Sequence, residues 1–364
     1  KSPYTLNPAA SAADKPDASS LSTRRTKDSV NMADQRDQSA PKVASGSAPS
    51  SPASLLRFGR PRDWLIGAAL LAGLFIAVDK GVGWGKLLSP WHTLSPWLLL
   101  VAFVLTALSY LLRGVRVYDF FGEPMQGRFL TVLRLSVLHN TANNLLPMRT
   151  GEMVFPWLMR RYFGHGFLAA GASLLWIRLM DLHVLGLAGL LVLWLRDPAW
   201  IWPLAALVWI SLLPIMAKLI AHAVDKPGGS GRLWRIARFI AESGPARPTL
   251  IARLYLWTAL CWLLKLVAFA AVLRHFVAVD FWKVLAGVLG AELSSVLPFH
   301  GIAGAGSYEL ATVVAMVPFG VSATDALTGA VNLHLFLLGT TLILGLMALI
   351  IPRGPTEADQ TASP

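Results

Sequence analysis

The residues of this chain best equipped for chemistry fall in two short stretches of similar pattern. Asn143 to Glu152 reads NNLLPMRTGE, and Ser294 to Glu309 reads SSVLPFHGIAGAGSYE. Each runs through two small polar residues, two aliphatics, a proline, a basic or imidazole side chain, then glycine and glutamate. A guanidinium donates two parallel hydrogen bonds to a phosphate, so Arg149 is a candidate anion ligand with Glu152 fixing it. The competing reading is an arginine whose head reaches out to the membrane interface. Asn140, Asn143 and Asn144 either satisfy backbone freed by a helix break or bind oxygens of a polar ligand. Glu292 and Glu309 flank the second stretch with His300 between them. Buried carboxylates can carry protons; hydrogen bonding to the amides of the turn itself is the reading favoured for Glu309. Arg178 and Asp181 lie three apart and share a helix face, as a structural ion pair or as a ligand contact.

These polar residues must be positioned by very apolar elements. Of 364 residues, 55% are hydrophobic and 14% charged, with mean hydropathy +0.55; a soluble domain carries about 25% charged residues. Crossing the hydrocarbon takes about 20 helical residues, and several runs are long enough. The spacing predicts spans near 63–79, 95–117, 166–195, 199–221, 250–274 and 324–351, with polar-interrupted segments at 128–160 and 283–319. The fold class is therefore all-α, a polytopic membrane helical bundle with two re-entrant, broken-helix segments. Residues 1–56 read as a disordered cytoplasmic tail, 57–352 as the transmembrane domain, and 353–364 as a short polar tail.

The formal charge of +12 is explained by basic residues beside apolar runs, as the positive-inside rule expects, and a nucleic-acid role is excluded. Arg113, Arg116, Arg160, Arg161 and the basic loop 222–249 are placed on the cytoplasmic side, with both termini. Arg113 and Arg116 read as interface markers. Trp64, Trp84, Trp91, Trp97, Trp200 and Trp202 sit near span ends as an interface belt. Cys261 is the sole cysteine, so no intrachain disulfide is possible. Lys265, near mid-span, requires a partner that the sequence does not name. His334 reads as an interhelical hydrogen-bond donor.

Pro147 and Pro298 remove backbone donors and break their helices. Gly151, Gly301, Gly304 and Gly306 permit tight turns and close approach. On the loop-charge count the first segment enters from the cytoplasm and the second from the outer face, which makes them an inverted repeat of the kind that encloses transporter sites. Irregular backbone at membrane depth survives where it is buried in protein or lines a wet cavity. A helix starting after a break points its positive end inward, suiting a phosphate or carboxylate.

NNLLPMRTGEMVFPWLMRR, then LLWIRLMDLHVLGL, then LPFHGIAGAGSYE together resemble the transmembrane domain of lysylphosphatidylglycerol synthases, which also occurs alone in flippase-like membrane proteins. The family pattern is N-x-x-L-P-x-R-x-G-E, then R-x-x-D, then a Leu-Pro and glycine-rich turn ending in Glu. This chain has FHGIAGAG where the family usually shows a Pro-Gly-Gly run. The resemblance covers about residues 60–352. It implies movement of a polar-headed lipid between leaflets, with anionic or polyprenyl-phosphate-linked lipids as partners, in the bacterial inner membrane. Aminoacyl transfer is not implied, because that activity resides in a separate soluble domain.

No H-E-x-x-H, G-x-S-x-G or P-loop pattern occurs, and His139, His183, His300 and His334 lack ligand spacing. No catalytic residue, metal or cofactor is expected. The leading expectation is a flippase- or scramblase-like lipid transporter. The alternatives are a membrane enzyme using Glu152 or Glu309 as base, and an accessory subunit of a separate synthase or glycosyltransferase; a homodimer is left open.

Overall fold

The computed structural model describes residues 61–225, 231–245, 247–295 and 301–354. The tail read over 1–56, the residues Pro298 and His300, and the side chain of Arg149 lie outside the described set. Among the described residues the chain is helical throughout. The elements are α1 (Pro61–Gly81), α2 (Trp84–Leu88), α3 (Pro96–Phe121), α4 (Phe129–Leu145), α5 (Val154–Phe163), α6 (Phe167–Arg196) and α7 (Ile201–Asp225), followed by α8 (Arg232–Glu242), α9 (Pro248–Phe276), α10 (Phe281–Ser294), α11 (Ser307–Met316) and α12 (Ala323–Ile350).

Local signals set these boundaries. Pro96 and Pro248 stand at the first helical positions of α3 and α9, where a missing N–H costs nothing. Gly164 ends α5 in the left-handed region at φ 64°, the usual geometry of a helix stop. Ser322 caps α12, accepting from the Asp325 amide at 3.0 Å, which satisfies one orphan donor of the first turn.

Six stretches among the described residues are long and apolar enough to cross a bilayer: Trp64–Gly81, Pro96–Phe121, Phe167–Arg196, Pro248–Phe276, Ile302–Phe319 and Ala323–Ile350. Large apolar side chains on their outer faces stay exposed, including Leu100 on α3 and Leu346 and Leu349 on α12, as do Leu204 and Leu207 on the shorter apolar stretch of α7. A helix that is apolar outward as well as inward belongs in lipid. This is an integral membrane helical bundle.

The helices α3 and α9 make the most extensive helix–helix contact, and α4, α6, α10 and α12 complete the interior around them. One core joins Phe269 and Leu273 of α9 with Val288 of α10 and Leu333 and Phe336 of α12. A second joins Val132 and Leu135 of α4 with Phe155 and Met159 of α5 and Leu174 of α6. Both arms on either side of the first break are therefore anchored by apolar packing.

The first break falls at Pro147, and the second shows at the glycine-rich residues from Gly301 onward. Leu146 turns extended (φ −84°, ψ 140°) ahead of Pro147, and Pro147–Met153 winds as a 3-10 helix; proline disfavours α geometry at the residue before it. Gly151 is pressed so tightly on α4 that an added Cβ would lie 2.4 Å from Asn143 Cα. In the second break Ala303, Gly304 and Gly306 all take positive φ, at 51°, 80° and 85°. Ile302–Phe319 is thus no single helix. The two breaks touch each other, and α1 touches both.

Two readings are corrected. The basic stretch 222–249 is not simply a loop, because α8 forms within it. Its Arg232, Arg235 and Arg238 are exposed, while its end is pinned to α6 by Trp176 Nε1 donating to the Ile240 carbonyl at 2.8 Å. An eleven-residue amphipathic helix flanked by glycines was hidden by its high charge. Trp91 also leaves the belt: its Nε1 donates to Asn332 Oδ1 at 2.6 Å, fastening the α2–α3 connection to α12. Trp97 and Trp200 are exposed as a belt requires.

Gly151→Ala should lower the thermal midpoint of the detergent-purified protein, since overpacking costs about 1–3 kcal/mol. Gly73→Ala, with nothing within 4 Å of its added Cβ, should leave the midpoint unchanged or raise it. Equal midpoints for both variants would contradict the close approach at the first break.

Candidate functional site

Three sets of paired charges tie the breaks to the bundle. The first centres on Asp181 of α6, which is 4% exposed. Its Oδ1 accepts from Arg116 Nη1 of α3 at 2.6 Å and from Trp262 Nε1 of α9 at 3.0 Å. Its Oδ2 accepts from Arg178 Nη1 at 3.4 Å. Arg116 also donates to Thr258 Oγ1 at 2.9 Å. Arg178 reaches on to Glu152 Oε1 at 2.8 Å, and His139 of α4 lies between Glu152 and the Gly151 carbonyl, with Nδ1 3.2 Å from that carbonyl. Positive and negative groups alternate from α3 through α6 to the first break. Charges in hydrocarbon are tolerated when paired in this way inside a bundle.

The second set is the pair Lys265 Nζ to Glu292 Oε2 at 2.7 Å, joining α9 to α10. The third holds the second break. Glu309 Oε2 accepts from the Gly306 amide at 2.8 Å, and its Oε1 lies 2.6 Å from His334 Nδ1 of α12. His334 Nε2 in turn lies 2.8 Å from the Ala303 carbonyl. The chain's own carboxylate thereby fills the positive end of α11. The expectation that this helix start serves an external anion gives way to Glu309 as an internal cap.

A polar cavity opens between these sets, with an empty volume of about 810 Å³, its mouth included. Asn140, Asn143 and Asn144 line it beside the first break, Ser295 and Ala303 beside the second. Arg178, Asp181 and Glu292 form charged wall, and so do Arg113 and Lys265, while Tyr110, Tyr308 and His334 add hydrogen-bonding groups. Of the predicted site residues, Glu152 stands one ion pair behind this wall and Glu309 one behind His334.

The asparagines divide in role. Asn140 Nδ2 bonds back to the Ser136 carbonyl at 2.7 Å, and Asn144 Nδ2 donates to Tyr110 and Thr341 hydroxyls. Both are engaged in satisfying protein groups. Asn143 Oδ1, Glu292 Oε1 and the Tyr308 hydroxyl are buried and make no hydrogen bond to the described residues.

Arg113 and Arg116 are not interface markers. They are 6% and 3% exposed and point into the bundle. The available signal was that apolar sequence resumes after each of them and α3 runs on to Phe121. Arg178 and Asp181 do pair, but Asp181 holds Arg116 at the shorter distance, and Glu152 is held by Arg178 across 26 residues of sequence.

The family model described as the lysylphosphatidylglycerol synthase TM region matches residues 64–345. This chain belongs to that family. No curated protein matches it. Glu152, Arg178 and Asp181, which lie in the stretches that resemble this family, form one continuous charge network.

Lys265→Met should destabilise the purified protein by about 3–5 kcal/mol, the cost of leaving one buried charge unpaired. Lys265→Met combined with Glu292→Leu should recover much of that loss. Thermal unfolding of these two proteins and of Glu292→Leu alone in detergent tests this, and additive losses would contradict the pairing.

Proposed function

We propose that this protein moves a lipid with a phosphate-bearing head between membrane leaflets. The observation that carries the reading is a polar cavity lined by residues from both helix breaks. Hydrocarbon offers no reason to assemble so many polar side chains at membrane depth, whereas a passing headgroup does. Cations in the wall suit phosphate, and the acyl chains would stay outside among the exposed leucines.

In this reading the two broken segments are re-entrant and form an inverted repeat. Supporting it, α5 and α11 have ten residues each, about 15 Å of helix against roughly 30 Å of hydrocarbon. Neither crosses alone, so each folds back with its longer arm, α4 or α10. The exposed arginines of α8 and those at the end of α5 favour the cytoplasmic side for those ends by the positive-inside rule, in a plasma membrane, with both termini on that side. Anionic phospholipids and polyprenyl phosphates fit the cavity's chemistry.

The test is reconstitution into vesicles with labelled anionic phospholipid or polyprenyl phosphate in one leaflet. Wild type should equilibrate the label between leaflets. Folded Glu152→Ala and Arg149→Ala proteins should do so roughly 10–100-fold more slowly, the scale of losing a charge-assisted hydrogen bond of about 1.5–3 kcal/mol. Wild-type rates in both variants would remove these residues from the path, and a protein that moves no lipid would refute transport.

A further inference from the structure

Among the charged side chains on the cavity wall, Arg113 differs from the rest. Arg178, Asp181, Lys265 and Glu292 each have an oppositely charged partner within 3.4 Å. Arg113 has no ion pair and no hydrogen bond to the described residues, although it is only 6% exposed. Its guanidinium carbon lies 5.2 Å from the centre of the Trp262 ring, a contact that orients the group without neutralising it.

Arg116 and Arg178 are balanced by Asp181 and Glu152, and Lys265 by Glu292. Both nitrogens of His334 face oxygen, the Glu309 carboxyl and the Ala303 carbonyl. That arrangement requires one proton beyond a neutral imidazole and a carboxylate, whichever residue keeps it, so the pair is neutral. Among the described side chains of the cavity wall and their ion-pair partners, cations outnumber carboxylates by one, and Arg113 is the cation without an ion pair.

An uncompensated guanidinium in a low-dielectric wall is costly, and an incoming anion removes that cost. Its planar fork matches two oxygens of a phosphate. A head that carries its own ammonium brings a further cation toward Arg113, Arg178 and Lys265, and the one open carboxylate oxygen on the wall, Glu292 Oε1, belongs to a group whose charge Lys265 already balances. We propose that Arg113 is the anion anchor of the cavity and selects phosphate heads of net negative charge, such as phosphodiesters of neutral polyols, over zwitterionic heads. The proposal rests on the cavity being the ligand site of the transport reading above.

The experiment measures binding to the full-length purified protein by competition against fluorescent phosphatidylglycerol. It is run at high ionic strength, where attraction to surface arginines is screened. Unlabelled phosphatidylglycerol should compete at least about tenfold better than phosphatidylethanolamine, a factor that one charge-assisted contact supplies. Arg113→Gln should reduce phosphatidylglycerol binding to the phosphatidylethanolamine level, and Arg113→Lys should retain part of the preference. Competition by glycerol 3-phosphate or inorganic phosphate at wild type, lost in Arg113→Gln, supports the anchor with a free phosphate as its ligand. Lipid competition alone supports it with a lipid head.

Equal binding of the two lipids by wild type overturns the proposal, even if Arg113→Gln does not fold. So does unchanged preference in a folded Arg113→Gln protein. Vesicle assays on the same preparations separate the two readings. Selective, Arg113-dependent binding without lipid movement refutes transport and keeps the anchor; movement of both lipids at equal rates, with equal binding, refutes the anchor and keeps transport.

Discussion

Asp181 sits in an apolar helix, almost wholly removed from solvent, with a guanidinium on either side of it. A carboxylate there is expensive, and so are the two arginines, yet together they are tolerable because each charge is met by hydrogen bonds. The consequence extends beyond that trio. Arg116 brings α3 and, through Thr258, α9; Arg178 extends to Glu152 and so fixes the first broken segment. The position of a segment that is not held by regular helix bonding therefore depends on one aspartate a full helix away.

The second break is secured by different means. Glu309 caps its own helix through the Gly306 amide, and His334 clamps the carboxyl from one side and the Ala303 carbonyl from the other. Broken backbone leaves donors and acceptors that must find partners where water is scarce. Here the partners are side chains from neighbouring helices. Since the two breaks touch and α1 touches both, polar groups that each break requires collect in one place, and the cavity lies among them.

Much of this was legible in the sequence. Hydropathy located the helices to within a few residues, because backbone in lipid has few alternatives to helix. The Leu-Pro signal at 147 and the glycine signal at 304 and 306 are local demands, and irregular backbone stands at each of them. Partners were not legible. Arg116 with Asp181, Lys265 with Glu292 and Glu309 with His334 are separated by 65, 27 and 25 residues, and no local rule joins them. The amphipathic α8 was obscured for another reason: its basic face made it resemble a solvated loop. Arg113 was misread because an arginine near a span end is usually interfacial, and only the packing of α3 against α9 shows it turned inward.

A headgroup site inside a membrane bundle requires water to reach the asparagine-lined wall. Reactivity of introduced thiols tests this most directly, in a Cys261→Ser background and in sealed vesicles. Asn140→Cys should react with a membrane-impermeant, water-soluble thiol reagent, whereas Leu204→Cys on the lipid-facing side of α7 should not. An inert Asn140→Cys in folded protein, reacting no faster than Leu204→Cys, would contradict a hydrated cavity.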